Sequence, residues 1–422
     1  MQKIKQLFFS TTAKNALITL IGNGLLGVIV VIFNILAFRW LGPAQFGLFT
    51  VASTVTVFAF DVLALGTSQA NVRFVSVYLG QNKQSLAYQL ASAIWRLRLV
   101  EIMVLGIMAI FLGRWLAVEF FADSALVNPL VVALWLTSTI LLVDFFMGLL
   151  QAQERFLARS LMFIINAIAR LIALITFYFL GINTTIALLI AFFIGPLISS
   201  IATVFIIPRN FLIAPVSLSS LKPIFHFSKW MALWGITASL AARLDIFLLA
   251  KLTTSYETGL YAAAARLITI FIWAQAAFNT VLEPKTARLV HDVVLLKSNF
   301  SKMVLGVLLA ILGIILLIPL APFFIPLLLG QEIDLSIRIF QILLVGMIFF
   351  VATTPSMITL MATGRSKIIG LLSTLQLGAG LLLHLWLIPR WGGLGAALAV
   401  TTTYFLTFLL ATLSSSRLLR HL

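Results

Sequence analysis

Runs of about twenty residues with almost no charge recur along the whole of this chain, and they restrict its fold more than any other feature. They cover residues 15–38, 44–66, 95–117, 127–150, 159–180, 184–207, 227–251, 258–282, 302–320, 336–361, 366–388 and 393–413. Crossing about 30 Å of hydrocarbon takes roughly 20 residues of helix, and a helix satisfies each backbone N–H and C=O within the segment. The expected fold class is therefore an all-α integral membrane protein with twelve transmembrane helices. Composition agrees: 62% of residues are hydrophobic and 9% charged, whereas soluble domains are about half apolar and about a quarter charged.

An even number of spans returns both termini to one side, and Lys and Arg concentrate in cytoplasmic loops. With the termini in the cytoplasm, 20 of the 28 Lys and Arg fall in cytoplasmic loops, Arg96 and Arg98 among them. Only Arg39, Arg114, Lys251, Arg338 and Arg390 fall outside, and Arg170, Arg243 and Arg266 lie within spans. The formal net charge of +16 is thus spread over loops as topology signals that also attract anionic lipid heads. It forms no stripe that would suit nucleic acid. The first span follows Lys3, Lys5 and Lys14 without a small-residue cleavage site, and reads as retained.

The loops leave little room for separate chemistry; the longest outer one is about 321–335. A glycan polymerase or ligase needs a large periplasmic loop for its catalytic groups, so an enzyme is not expected. There is no GxxxxGK[ST] phosphate loop and no HExxH pair. The four histidines are scattered, His226 and His291 in cytoplasmic loops, His384 in the eleventh span and His421 at the tail, and cysteine is absent. No metal and no cofactor are expected. What is left is transport.

Internal matches share one spacing. Gly47-Leu48-Phe49 corresponds to Gly259-Leu260-Tyr261 at an offset of 212, Arg155 to Arg365 at 210, and Gly181 to Gly393 at 212. A common offset at three places argues for two six-helix lobes, 1–212 and 213–422, of the same orientation. The expected architecture is two pseudo-symmetric six-helix bundles around a central cleft.

Three stretches resemble a known family: "DVLALGTSQANVRFVSVY" (Asp61 to Tyr78), "ARLDIFLLAKLTTSYETGLYAAAARL" (Ala242 to Leu267) and "IPRWGGLGAALA" (Ile388 to Ala399). They are similar to the bacterial polysaccharide-biosynthesis flippases, the Wzx-type translocases of O-antigen and exopolysaccharide repeat units. The superfamily also holds multidrug and toxin extruders and the lipid II flippases. The matching residues are Asp61, Gly66 and Arg73 after span 2, and Asp245, Gly259, Tyr261 and Ala264 around span 7. The resemblance implies a substrate of undecaprenyl-pyrophosphate-linked oligosaccharide, moved from the cytoplasmic to the periplasmic leaflet of the bacterial inner membrane for lipopolysaccharide or related surface polysaccharide. It also implies membrane lipids as surroundings, a proton or sodium ion as candidate coupling ion, and a polysaccharide polymerase as candidate partner. The other reading within the superfamily is a cation-coupled exporter of the multidrug and toxin type, which would favour a surplus of carboxylates in the cleft. The intramembrane acids Asp61, Asp144 and Asp245 balance Arg170, Arg243 and Arg266.

A diphosphate headgroup crossing hydrocarbon needs cations to meet it, and guanidinium suits phosphate because it stays charged and binds through a fork. Candidate pyrophosphate ligands are Arg243, Arg266, Arg73 and Arg170; candidate orienting or ion-coupling groups are Asp61, Asp144 and Asp245. Each has a structural alternative. Arg243 and Asp245 point about 200° apart on a helix and cannot pair with one another. Asp245 and Arg266, at a similar depth, either pair with one another or serve the ligand and ion roles just named. Arg243 either faces the cleft or pairs with Asp61 or Asp144, with the depth count along the spans favouring the cleft. Arg170 either pairs with Asp144 or meets ligand. Arg39 is either an anchor beside Trp40 or a guard at the outer exit.

Overall fold

The computed structural model describes residues 11–64, 67–216, 235–290, 292–330 and 333–421. Among them there is helix and no strand. Nine helices among the described residues are long and apolar enough to cross a membrane. The chain is a multi-pass membrane protein, and its surface says the same. Leu305, Leu308, Leu309, Leu312, Leu316 and Phe323 stand exposed along a single helix, a face that only lipid could cover at low cost.

Two of the nine helices are hairpins. α1 (Thr11–Ala64) contains the non-helical Gly42, at φ 75° and ψ 172°, followed by Pro43. A straight helix would hold Phe33 and Phe49 about 24 Å apart, yet their ring centroids lie 6.2 Å from each other. The chain therefore turns back at Gly42. The last helix, α13 (Ser366–His421), does the same at Gly392, with φ 53° and ψ −127°. A Cβ on Gly395 would lie 3.0 Å from the Ile388 backbone nitrogen, which only a reversal permits. Spans 1 and 2, and spans 11 and 12, fall on either side of these two glycines.

Between the hairpins the chain order is α2 (Thr67–Gly80), α3 (Gln84–Trp115), α4 (Val127–Ala152), α5 (Phe156–Phe179), α6 (Thr185–Val204), the short α7 (Asn210–Ile213), α8 (Leu244–Leu252), α9 (Ser255–Ala287), α10 (Val293–Leu329), α11 (Asp334–Ala352) and α12 (Thr354–Ala362). The described residues sort into two compact units. The first runs to Arg243 apart from Asn34–Arg39; the second comprises Asn34–Arg39 and everything from Leu244 onward.

In the first unit α4 is central, packing on α2, α3 and α6, while α5 packs on α6. Its core includes Leu90, Ile94, Phe145, Phe146, Leu149 and Leu150. Close approach relies on small residues, as in membrane bundles generally: a Cβ on Gly22 would lie 2.7 Å from Ser160 Cβ, and one on Gly113 2.8 Å from the Val131 nitrogen. In the second unit α11 packs on α9, α10 and α13. Two of the sequence stretches quoted above meet there. The Glu257 carboxylate accepts a 2.8 Å hydrogen bond from the Gly393 N–H, and a side chain on Gly392 would collide with that carboxylate.

Three expectations about element limits change. α3 starts at Gln84, not near 95, so Arg98 lies fourteen residues inside a helix instead of in a cytoplasmic loop. Most of 321–335 is helical, since α10 runs to Leu329. Helix also fills 67–80, so Arg73 is an exposed residue of α2 and not part of a loop. Hydropathy marks where a helix is apolar, and a helix keeps its hydrogen bonds well past that point. The first part of span 7, through residue 234, lies outside the described residues, as does Gly66.

Candidate functional site

Span 7 is broken where its charges are. Helix over 235–241 ends in a turn at Ala242 and Arg243, and α8 begins at Leu244. The Arg243 guanidinium reaches Asp61 on the second arm of α1, with Nη2 3.0 Å from Oδ2. Ser239 ties the two together: its hydroxyl donates to Asp61, and its carbonyl accepts from Arg243 at 2.8 Å. The depth count that favoured a cleft-facing Arg243 is thereby corrected. That count assumed 1.5 Å per residue through one straight helix, and the break at Ala242–Arg243 removes the premise. The pair is half-buried, with side chains 20% and 27% exposed.

Asp144 does not pair with Arg170. Its partner is Arg98, at 3.3 Å, and Arg98 also holds Glu101 at 2.7 Å across one helical turn of α3. Ser68 on α2 completes the group, donating to Asp144 at 2.5 Å and accepting from Arg98 at 3.2 Å. Arg98 is among the most deeply buried large side chains, 1% exposed. Sequence reasoning passed over Arg98, Glu101 and Ser68. The available signal was Arg98 and Glu101 at i and i+3, a pairing distance on a helix, inside the otherwise apolar run that follows Trp95. Adding one acid and one base leaves the intramembrane charge tally balanced.

Arg170 stands in different company. Its Nε donates to Asn166 Oδ1 at 2.7 Å, one turn earlier on α5. Its guanidinium carbon lies 4.2 Å from the centre of the Phe192 ring. Phe192 is itself held edge-on by Phe33 at 5.2 Å and Phe49 at 5.7 Å. Gly195 lets α6 lie this close: a Cβ there would be 2.7 Å from Arg170 Cγ and from Asn166 Oδ1. Among the described residues no carboxylate lies within 4.0 Å of Arg170. Asn166, Phe192 and Gly195 were also passed over, because amide, ring and glycine are ordinary in a membrane helix until an arginine is found against them.

In the second unit Asp245 meets Tyr261 instead of Arg266, accepting from Tyr261 Oη at 2.7 Å. The sequence placed a six-residue loop, 252–257, between spans 7 and 8. In the structure α8 ends at Leu252 and α9 starts at Ser255. That tighter turn brings residue 245 level with residue 261 and leaves Arg266 about a turn deeper. Asp245 also occupies the first turn of α8, where the helix dipole favours negative charge. Tyr261 is 1% exposed, so its place in the family pattern is that of a buried clamp on Asp245. Arg266 is half-buried on α9. Arg39 is exposed and donates to the Leu327 carbonyl at 3.5 Å, while the neighbouring Trp40 stacks on Tyr178 at 4.1 Å. Among the described residues no three His, Cys, Asp or Glu side chains are grouped to hold a metal ion.

Within its first unit the chain offers Arg170 and Arg159 stacked on the rings of Phe192 and Phe163 with no acid within 4.0 Å among the described residues, Arg243 paired with a half-exposed aspartate, and Arg98 enclosed by two acids. These are three different electrostatic settings for the same side chain. An anion can approach the first without displacing a carboxylate.

Comparison with known proteins fits a transporter of this architecture. A Shigella flexneri protein named for O-antigen transport is 23% identical over 388 residues, covering 88% of this chain and 90% of its own. The fold is shared with an inward-facing multidrug resistance MATE family transporter of the MOP superfamily, at a TM-score of 0.78, 13% identity, and coverage of 94% and 95%. It is shared equally with the lipid II flippase MurJ in an inward closed conformation, at a TM-score of 0.76, 15% identity, and coverage of 94% and 87%. These relatives are transporters and flippases, not enzymes. Residues 12–290 match the family described as polysaccharide biosynthesis protein, and the chain, an all-helical membrane protein, belongs to that family.

Proposed function

We propose that this protein translocates undecaprenyl-pyrophosphate-linked oligosaccharide repeat units from the cytoplasmic to the periplasmic leaflet of the bacterial inner membrane. Twelve spans in two six-helix lobes, 1–212 and 213–422, with both termini in the cytoplasm, work by alternating access around a cleft between them. Family membership and the relative named for O-antigen transport support the polysaccharide class. The two hairpin glycines support the span count by dividing two of the nine apolar helices.

One observation carries the chemistry. Arg170 keeps a charged guanidinium deep in α5, half-buried, against Phe192 and Asn166, with no carboxylate within ion-pair reach among the described residues. A charge inside a bilayer costs from about 3 to well over 10 kcal/mol, and packing alone does not repay that. An anionic headgroup does, through charge-assisted hydrogen bonds to the fork. The Phe192 face supports the cation from below and leaves its edge for oxygen. Arg170 is thus the first ligand for the pyrophosphate. Arg243, with Asp61 as a partner that can be exchanged, is the second. Arg73 and Arg266 serve the approach and the far side of the path, Arg39 the outer exit, and Asp245 orients the start of α8.

The test is genetic complementation in a strain lacking the gene, scoring surface polysaccharide and the leaflet on which lipid-linked repeat units accumulate. Arg170→Ala at normal protein abundance should abolish surface polysaccharide and leave repeat units on the cytoplasmic face. Wild-type polysaccharide in that variant overturns the role of Arg170. Altered drug susceptibility on deletion, with polysaccharide unchanged, would instead support the multidrug exporter reading.

A further inference from the structure

Arg159 is the other guanidinium of α5 that stacks on a ring with no acid beside it, and the proposed function leaves it unused. It is the fourth residue of the helix and half-buried. Its guanidinium carbon is 4.7 Å from the centre of the Phe163 ring, one turn on. Its Nε is buried and has no hydrogen-bond partner. Among the described residues no carboxylate comes within 4.0 Å of it, and Glu154, the nearest acid in sequence, is exposed. A buried N–H without an acceptor costs free energy, and a guanidinium binds oxyanions through its N–H edge, not through the face that lies on a ring.

The direction of Arg159 matters as much. Arg159, Phe163, Asn166 and Arg170 are spaced by four, three and four residues, so all lie within about 60° on one face of α5, with the two arginines about 16 Å apart along it. The apolar side chains that stand exposed on this helix, Leu157, Leu161, Ile168 and Ile172, project from the opposite face. Arg159 is therefore not an anchor snorkelling from a lipid-facing surface. Nor is it the cation that marks the loop. Arg155 and Arg365 stand in matching turns: each follows a residue of positive φ, Glu154 at 57° and Gly364 at 70°, and donates its N–H to a carbonyl five residues back, at 2.9 and 3.0 Å. One helical turn later the first has Arg159 and the second Ile369. A topology signal is already supplied by the arginine common to both.

We infer that Arg159 is a docking station at the cytoplasmic end of α5, where a membrane-borne pyrophosphate is captured before it passes to Arg170. The inference rests on the function and topology proposed above, in which Arg170 stays the main ligand. The two guanidinium groups are too far apart for one diphosphate to bridge, so they are filled in turn. With no acid beside either among the described residues, the headgroup moves between them without displacing a carboxylate. Asn166, which lies between them, keeps its side-chain oxygen on Arg170. A cation at the entrance acts on capture, the step that electrostatic attraction accelerates, and not on the later movement.

The test is flipping in proteoliposomes as a function of the density of undecaprenyl-pyrophosphate-linked repeat units. Arg159→Gln should raise the density for half-maximal flipping about tenfold, the loss expected of charge-assisted hydrogen bonds, and leave the maximal rate and the melting temperature unchanged. Arg159→Lys, which keeps the charge without the fork, should fall between. Arg155→Gln, which removes the neighbouring cation, should match the wild type. A maximal rate lowered at unchanged half-saturation, or wild-type flipping by Arg159→Gln at every density, overturns the inference. Should Arg159→Gln fail to fold, Phe163→Leu, which removes only the ring beneath the guanidinium, should shift half-saturation in the same direction; no shift there overturns the inference as well. A wild-type protein that flips no repeat units would sink the proposed function and the docking station with it, whereas a flipping wild type matched by Arg159→Gln sinks the docking station alone.

Discussion

Arg98 and Arg170 are both arginines near the middle of membrane helices in the same unit, and their surroundings are opposite. Arg98 is sealed, 1% exposed, with two acids and a serine around it. Arg170 is half-buried, with an amide, an aromatic face and no acid within reach among the described residues. Removing one partner from a buried ion pair strands the other charge, whereas removing a cation with no acid partner strands no charge. On the proposed function, the difference separates an arginine that holds helices together from one that receives an anion. Sequence alone counted Arg98 in a cytoplasmic loop and left Arg170 between a pair with Asp144 and contact with ligand.

The largest effect expected from this contrast is on Arg98→Leu. It leaves Glu101 and Asp144 facing one another without a cation, and should cost about 3–5 kcal/mol, read as a marked loss of thermal stability in detergent and of protein in the membrane. Arg170→Leu should leave both at wild-type levels and abolish transport. Equal stability of the two variants would erase the distinction. Next comes Gly195→Ala. Its new methyl would lie 2.3 Å from the Asn166 backbone carbonyl and 2.7 Å from Arg170 Cγ, so it should push α5 and α6 apart, displace the guanidinium from Phe192, and reduce both thermal stability and transport. Full transport there would mean the exact seat of Arg170 is unimportant.

A smaller effect is expected of Tyr261→Phe, which removes the 2.7 Å hydrogen bond to Asp245 and should cost about 1 kcal/mol, seen as a modest fall in melting temperature. The smallest is Asp61→Asn. Its bridge to Arg243 joins side chains 20% and 27% exposed and should contribute at most about 1 kcal/mol to stability. Its effect on transport should be greater, because it takes the carboxylate charge away from Arg243. Unchanged transport in Asp61→Asn would confine the pair to a structural role.

The helical membrane fold was legible because twenty-residue apolar runs and the needs of an unsolvated backbone leave one solution. The two hairpins were legible only as the gaps 39–43 and 389–392 between apolar runs. The partners were not. Asp144 finds Arg98 and not Arg170 because α3 extends eleven residues beyond its apolar run, from 95 back to 84, so a residue counted in a loop lies inside the bundle. Asp245 finds Tyr261 and not Arg266 because the turn after α8 is shorter than the polar residues suggest. Both errors are of register along a helix by a few residues, and a hydropathy pattern with soft edges does not fix register to that accuracy. What the sequence could have supplied and did not was the i, i+3 pairing of Arg98 with Glu101.

The most direct measurement of the central claim is the affinity of undecaprenyl pyrophosphate for purified protein in nanodiscs, wild type against Arg170→Gln, at equal salt. Loss of charge-assisted hydrogen bonds to the headgroup should weaken binding about tenfold to a hundredfold, with thermal stability in the absence of ligand unchanged. Equal affinity of the two proteins would contradict the account, because the guanidinium proposed to meet the headgroup would then not be meeting it.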